Sequence, residues 1–194
     1  MTEIVKAGFS GDFERAERGL SDSCGRVRAA AVAACQRLGR LNGQRLEAAL
    51  GDAEPEVRIA GARAAAKLGG GALVARLAQE KDPLVAEVLI FALGEQRDQA
   101  AYSVLCETAT SHPDALCREA AVAAIANYER DDSIVVLEKA ANDKPAVRRR
   151  VAVALAAVDD PRATELLRRL TEDRDWQTRQ IAREILAIEE GDRT

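Results

Sequence analysis

Five arginines recur at a nearly constant interval and are the first candidates for chemistry. They are Arg28, Arg58, Arg118, Arg148 and Arg179. A row of guanidinium groups at regular intervals is a possible site for phosphates or another anionic ligand. An acid precedes four of these arginines by five or six residues, at Asp22, Asp52, Asp143 and Asp173. This pairing favours a structural row of arginines, each bonded to groups of its own turn.

Other reactive residues are sparse and badly spaced for a site. The four cysteines, Cys24, Cys35, Cys106 and Cys117, form no Cys-x-x-Cys pair, and His112 is the single histidine. We expect buried, reduced thiols and a turn histidine, with no catalytic residue, no metal and no cofactor. The run Arg148-Arg149-Arg150 is typical of a solvated helix face, and whether it binds an anionic ligand stays open.

The arginines belong to a sequence repeat. The residues just before them, or at the equivalent positions, are Val27, Val57, Val85, Cys117, Val147 and Thr178, with steps of 30, 28, 32, 30 and 31. Such a period is typical of stacked supersecondary units. Prolines before the anchors and apolar residues at helical spacing predict a helical hairpin in each repeat.

The repeats divide the whole chain, 1–194, which we predict to be a single domain. We expect an N-terminal helical cap over residues 1–10 and a polar tail over 189–194. The predicted repeats between them are about 11–39, 41–69, 71–96, 98–128, 131–158 and 161–188. Repeat three is irregular, because Ala86 replaces the arginine and Val88-Leu89-Ile90-Phe91 is an unbroken apolar run. Trp176 is predicted to cap the core at the C-terminal end.

The consensus Leu-x-Asp-x-x-Pro-x-Val-Arg followed by Ala-x-x-Leu-Gly, clearest over Leu50–Gly69, resembles the HEAT repeat in its short form named after phycobilisome lyases. The resemblance implies an all-α fold, a right-handed α-solenoid or alpha-alpha superhelix of about six helical hairpins. It also implies that the recurring arginines bond turn acids and carbonyls. Such repeats mostly serve as scaffolds, so we expect a non-enzymatic module that binds another protein or peptide.

The partner should contact the concave face, which the resemblance assigns to the helices that begin at the anchors. Positions two and six residues after each anchor point away from the core by helical periodicity. The positions that carry the largest and most varied side chains near the irregular repeat are Ile59, Arg63, Glu87, Phe91 and Glu119. Phe91 fits two interpretations, an exposed anchor for the partner or a core residue.

Composition limits the alternatives. A net charge of −4 opposes nonspecific binding to nucleic acid or an anionic membrane, no apolar run approaches a membrane span, and no small-molecule substrate is indicated. We expect a cytoplasmic protein, and 23 arginines against 5 lysines suggest a GC-rich bacterial genome. Two alternatives stay open: a bilin lyase-like or chaperone-like enzyme subunit, and a DNA-binding solenoid similar to the HEAT-like alkylated-base glycosylases.

Overall fold

The computed structural model describes residues 1–69 and 72–191, with side chains through residue 188. Within these ranges every regular element is a helix, and no strand occurs. The all-α prediction is confirmed. The polar tail predicted over 189–194 extends into residues 192–194, and the predicted third repeat begins at Gly71. Gly70, Gly71 and residues 192–194 lie outside the described ranges.

The chain divides into two compact units, Met1–Gln96 and Arg97–Thr194. The first contains the predicted cap and repeats one to three, and the second contains repeats four to six. The units are described separately below. The prediction of a single domain stays a prediction.

In the first unit, α1 (Thr2–Ser10), α3 (Gly25–Arg37), α5 (Pro55–Leu68) and α7 (Pro83–Gln96) pack side by side in one layer. The shorter helices α2 (Phe13–Gly19), α4 (Gly43–Leu50) and α6 (Leu73–Gln79) pack against α3, α5 and α7 respectively. Each pair of helices is one predicted hairpin.

The second unit repeats this plan. One layer holds α9 (Ala115–Ala126), α11 (Pro145–Leu155) and α13 (Trp176–Gly191), with α11 between the other two. The other helices are α8 (Gln99–Ser111), α10 (Ile134–Ala140), which follows a short 3-10 turn, and α12 (Pro161–Leu170), and they complete hairpins with α9, α11 and α13.

Local sequence signals explain where the helices begin. Proline occupies the first turn of α5, α11 and α12, where its missing N–H costs no helical bond. Side chains that accept a backbone N–H cap several helices, α12 among them: Asp12, Asn42, Asp98, Asp114 and Asp160. These are the residue types that N-caps prefer.

Small residues let the helices approach closely. Ala31, Ala34, Ala62 and Ala65 are buried between neighbouring helices of the first unit. At Gly61, a Cβ atom would lie 3.0 Å from the backbone nitrogen of Leu50 on the paired helix, so α4 and α5 are in contact along their backbones. The alanine-rich composition thus produces a thin, continuous core in each unit.

The C-terminal end of the chain differs from the prediction. Trp176 is 65% exposed at the start of α13, so the predicted core cap at this residue is wrong: its position at the first residue of the helix points it away from the buried face. The helix continues to Gly191, three residues into the predicted polar tail. At the other end α1 packs on α3 through Ala7 and Gly8, while Phe9 is 73% exposed.

Candidate partner-binding groove

A groove of about 770 Å³ runs across the exposed side of α3, α5 and α7 in the first unit. Its apolar wall is built by small alanines together with two larger side chains, Ile59 and Phe91. Ala29 and Ala33 on α3 occupy the positions that Ile59 and Arg63 occupy one repeat later, and their small size leaves the space open. The rim is charged or polar at Gln36, Glu56, Arg63, Lys67 and Glu95.

Phe91 is the large aromatic side chain in this groove. It is 52% exposed, whereas its neighbours Ile90 and Ala92 are completely buried. Because α7 is apolar around nearly its whole circumference, its sequence alone does not show which face meets the core. Of the two interpretations of Phe91, the structure shows the exposed one.

Three of the five predicted site residues line the groove: Ile59, Arg63 and Phe91. Glu87 lies one turn before Phe91 on α7, half-buried and outside the groove lining. Glu119 belongs to α9 of the second unit, where Arg150 Nη2 lies 3.3 Å from its carboxylate. The other lining residues, such as Lys67 and Glu95, lie one further turn along the same helix faces, which the same helical spacing indicates.

Arg28, Arg58, Arg118 and Arg148, four of the recurring arginines, hold successive hairpins together. Arg28 on α3 donates through Nε and Nη2 to both carboxylate oxygens of Asp52, at 2.9 and 2.7 Å, and through Nη1 to the carbonyls of Asp22 and Ser23. Arg118 and Arg148 bond Asp143 and Asp173 in the same bidentate way. Each guanidinium therefore joins the turn of its own repeat to the turn of the next.

This geometry corrects one detail of the sequence interpretation. We expected the arginines to bond groups of their own turns, acids as well as carbonyls. The arginine's own turn supplies backbone carbonyls, as expected, but the carboxylate comes from the following repeat. Repeat three shows the same relation with a different acid. Its turn is shorter, so Glu80 accepts from Arg58 at 2.8 and 3.0 Å, while Asp82 caps α7 through Leu84 N–H.

The pKa values of these acids are shifted as the geometry requires. The Arg28 hydrogen bonds hold the pKa of the Asp52 carboxyl below its usual value, although partial burial acts in the opposite direction. Arg118 and Arg148 lower the pKa of Asp143 and Asp173 in the same way. These carboxylates are therefore ionised at neutral pH, and their charges are matched within the fold.

The arginine run of repeat five is likewise paired. Arg148 is buried against Asp173. Arg149 Nη1 lies 3.3 Å from the Asp175 carboxylate and 2.7 Å from Gln177, and Arg150 contacts Glu119. The three guanidinium groups are thus matched by protein groups, which favours a structural role over an anionic ligand.

The cysteines and the histidine have different surroundings in the described residues. Cys35 and Cys117 are buried and Cys24 is exposed, and burial raises the pKa of the Cys35 thiol. His112 Nδ1 accepts the N–H of Asp114 at 3.1 Å, as expected of a turn residue. Residues 1–69 and 72–191 contain no group of three acidic, cysteine or histidine side chains placed to hold a metal ion, and none of their helices is long and apolar enough to cross a membrane.

Helical hairpins stacked in two layers, with arginines joining successive turns, define a protein of the α-solenoid class built from HEAT-type units. Residues 71–146 match the model of the family described as HEAT repeats, so the predicted resemblance to HEAT repeats is confirmed over that part of the chain. Members of this class generally mediate protein–protein interaction and are generally non-catalytic.

Comparison with known proteins shows a similarity of fold. A comparison with curated proteins finds no match. Among solved structures, the X-ray structure of the Escherichia coli protein YibA, a structural genomics target, is similar with a TM-score of 0.65 and 21% sequence identity. The likeness covers 82% of this chain and 62% of the YibA chain, so this chain spans less than two thirds of that protein. At this identity the comparison supports the helical repeat fold alone.

Proposed function

We propose that this protein is a non-enzymatic interaction module that binds a segment of another protein in the groove across α3, α5 and α7. The observation that carries the proposal is that the exposed Phe91 lies in the groove of about 770 Å³, beside several alanines. An aromatic anchor in an apolar hollow with a polar rim is the usual composition of an interaction hot spot.

The groove chemistry favours a polypeptide over a small substrate. Its apolar part is built from alanines, Ile59 and Phe91, and its charged rim carries both signs, with Glu56 and Glu95 as well as Arg63 and Lys67. An amphipathic segment satisfies both parts, because its apolar side chains bury the floor and its polar side chains reach the rim. Among the described residues that line the groove, none is a cysteine, serine, histidine or tyrosine.

The pairing of the arginines opposes the DNA-binding alternative. Arg28, Arg58, Arg118 and Arg148 are already bonded bidentately to carboxylates, so they are not available to phosphates. No feature of the groove favours a bilin or a chaperone-like catalytic role.

The test is affinity capture from the source organism with four baits: the wild type, Phe91→Ala, Ala33→Glu and Val135→Ala. Val135 is an exposed aliphatic residue on α10 of the second unit and serves as the matched control. We expect a protein that wild type and Val135→Ala retain and both groove variants lose, with affinity for the purified partner falling at least about tenfold for Phe91→Ala.

Circular dichroism establishes that each bait is folded before capture. A crosslinkable amino acid at position 59 should attach to the same partner, because Ile59 lines the groove. If folded Phe91→Ala and Ala33→Glu retain every protein that wild type captures, the groove is not the binding surface.

A further inference from the structure

A second feature of the first unit, outside the groove lining, is a cluster of arginines on phenylalanine rings at the ends of α1 and α3. The guanidinium of Arg37 lies 4.1 Å from the ring centroid of Phe9. The guanidinium groups of Arg40 and Arg45 lie 5.6 and 5.3 Å from the ring centroid of Phe13. We call Phe9, Phe13, Arg37 and Arg40 the arginine–phenylalanine cluster.

Arg37 and Arg40 differ from most other arginines of the first unit, because no carboxylate among the described residues matches their charges. Arg45 forms an ion pair with Glu17, and Arg15, Arg28, Arg58 and Arg76 each pair with a carboxylate. Within the described part of the chain, no carboxylate lies within ion-pair distance of Arg37 or Arg40. Both side chains are exposed, and so is Phe9.

Stacking leaves the donors of an arginine free. A guanidinium that rests its face on an aromatic ring keeps its five N–H groups in the plane, directed outward. The ring restricts the motion of the long side chain, so less conformational entropy is lost when a carboxylate binds the two parallel N–H groups. Arg37 and Arg40 are therefore preorganised hydrogen-bond donors to anionic groups, and the exposed ring of Phe9 adds an apolar contact beside them.

We propose that the arginine–phenylalanine cluster is a second docking surface, for a short acidic segment of a partner protein that carries two carboxylates and an adjacent apolar side chain. Charge complementarity supports this occupant: two unmatched cations suit two carboxylates. A nucleic-acid strand would instead need a continuous basic track and open aromatic faces for its bases, whereas guanidinium groups already lie over both rings.

The test uses the whole chain and a short fluorescent peptide of aspartate, leucine and glycine, measured by anisotropy at about 50 mM salt. We expect binding that weakens as salt rises, because exposed ion pairs are screened. The double variant Arg37→Gln, Arg40→Gln should bind the peptide at least about tenfold more weakly. The matched control is Arg18→Gln, Arg26→Gln, which removes the same charge from exposed arginines of the same unit that lie over no ring.

Two ring variants test the stacking itself. Phe9→Ala should weaken binding although it changes no charge, and Phe9→Trp should preserve it, because tryptophan is the best ring for a guanidinium. The proposal is overturned if the acidic peptide does not bind, if its asparagine analogue binds equally well, or if the control double variant loses as much affinity. Tighter binding of an oligothymidine of equal charge would overturn it in favour of nucleic acid. None of these variants alters Phe91. If the acidic peptide does not bind the arginine–phenylalanine cluster, the proposed groove is still tested separately by affinity capture with Phe91→Ala and Ala33→Glu.

Discussion

Arg148 and Asp173, which are 25 residues apart, are joined by two parallel hydrogen bonds of 2.8 and 2.7 Å. Their side chains are only 4% and 10% exposed, which makes this the most buried of the links between successive hairpins. A bidentate pair in such a setting is strong once formed, but removing one partner leaves a buried charge uncompensated. The links between repeats should therefore differ in energy according to burial.

The first prediction compares three arginine variants. Arg148→Ala should lower the free energy of unfolding by about 3–5 kcal/mol, since Asp173 is left buried and unpaired. Arg58→Ala should cost about 1–3 kcal/mol, because Glu80 and two turn carbonyls lose their donor. Arg162→Ala removes an exposed pair with Asp160 and should cost at most about 1 kcal/mol. Thermal and urea unfolding would measure the order, and equal losses for Arg148→Ala and Arg162→Ala would contradict it.

The second prediction concerns acid sensitivity. The pKa of Asp173 is lowered in the folded state by its bonds to Arg148, so between the folded and unfolded pKa values the unfolded chain binds more protons. The resulting stabilisation is complete above the unfolded aspartate pKa of about 3.9 and is lost as pH falls through the lower folded value. Wild-type stability should decline in this acid range, and the Asp173→Asn variant, already weaker at pH 7, should decline less steeply. Parallel curves of unfolding free energy against pH would show that Asp173 does not contribute.

The third prediction uses neighbouring residues of α7. Phe91→Ala truncates a half-exposed side chain and should lower stability by no more than about 1 kcal/mol, as surface changes usually do. Leu89→Ala truncates a buried leucine of the same helix and should cost about 2–5 kcal/mol by leaving a cavity. If Phe91→Ala is as destabilising as Leu89→Ala, Phe91 belongs to the core in solution.

The fourth prediction compares two glycines on either side of one junction. Gly39 has φ +66°, in the left-handed region that disfavours side chains, although open space surrounds its Cα. Gly39→Ala should therefore cost about 1–2 kcal/mol through backbone strain alone. Gly43 begins α4 in ordinary helical backbone and also faces open space, so Gly43→Ala should be neutral or stabilise by up to about 1 kcal/mol. The difference in melting temperature between the two variants measures the effect.

The helical hairpins could be predicted from sequence because their signals are local. Proline in the first turn, a capping aspartate and apolar residues at helical spacing act within a few residues. The exposed face of α5 was also predictable, and it includes Ile59 and Arg63. The sequence of α7 is apolar around nearly its whole circumference, so it left Phe91 open between an exposed and a core position. The sequence could not show that Ala29 and Ala33 leave space for the groove, because the space also depends on the side chains of the neighbouring helix.

The direction of the arginine links was not predictable from the repeat. A period of about 30 residues puts one acid shortly before each arginine and another about 24 residues after it, and the two are equivalent in sequence. The packing of successive turns is needed to show that the Asp52 carboxylate accepts from Arg28, whereas Arg58 bonds the backbone carbonyl of Asp52. The exposed Trp176 was missed for a similar reason, since composition favours burying a tryptophan while its place at the first residue of α13 decides otherwise.

The last prediction concerns repeat three, the final repeat of the first unit. Ala86 takes the place of the recurring arginine and is buried, so this repeat has no guanidinium from the equivalent position to bond the carbonyls of its own turn, as Arg58 does for Asp52 and Ala53. Asp82 caps α7 but cannot donate to those carbonyls. Amide hydrogens in the first turn of α7 should therefore exchange faster than those in the first turn of α5, because Ala86 offers no guanidinium to the carbonyls of the turn before α7, although Asp82 accepts the N–H groups of Leu84 and Val85. Native-state hydrogen exchange measures both turns in one sample, and Arg58→Ala supplies the control by raising exchange in α5 toward the rate of α7. Slower exchange in the first turn of α7 than in that of α5 would show that the arginine is not what holds these turns closed.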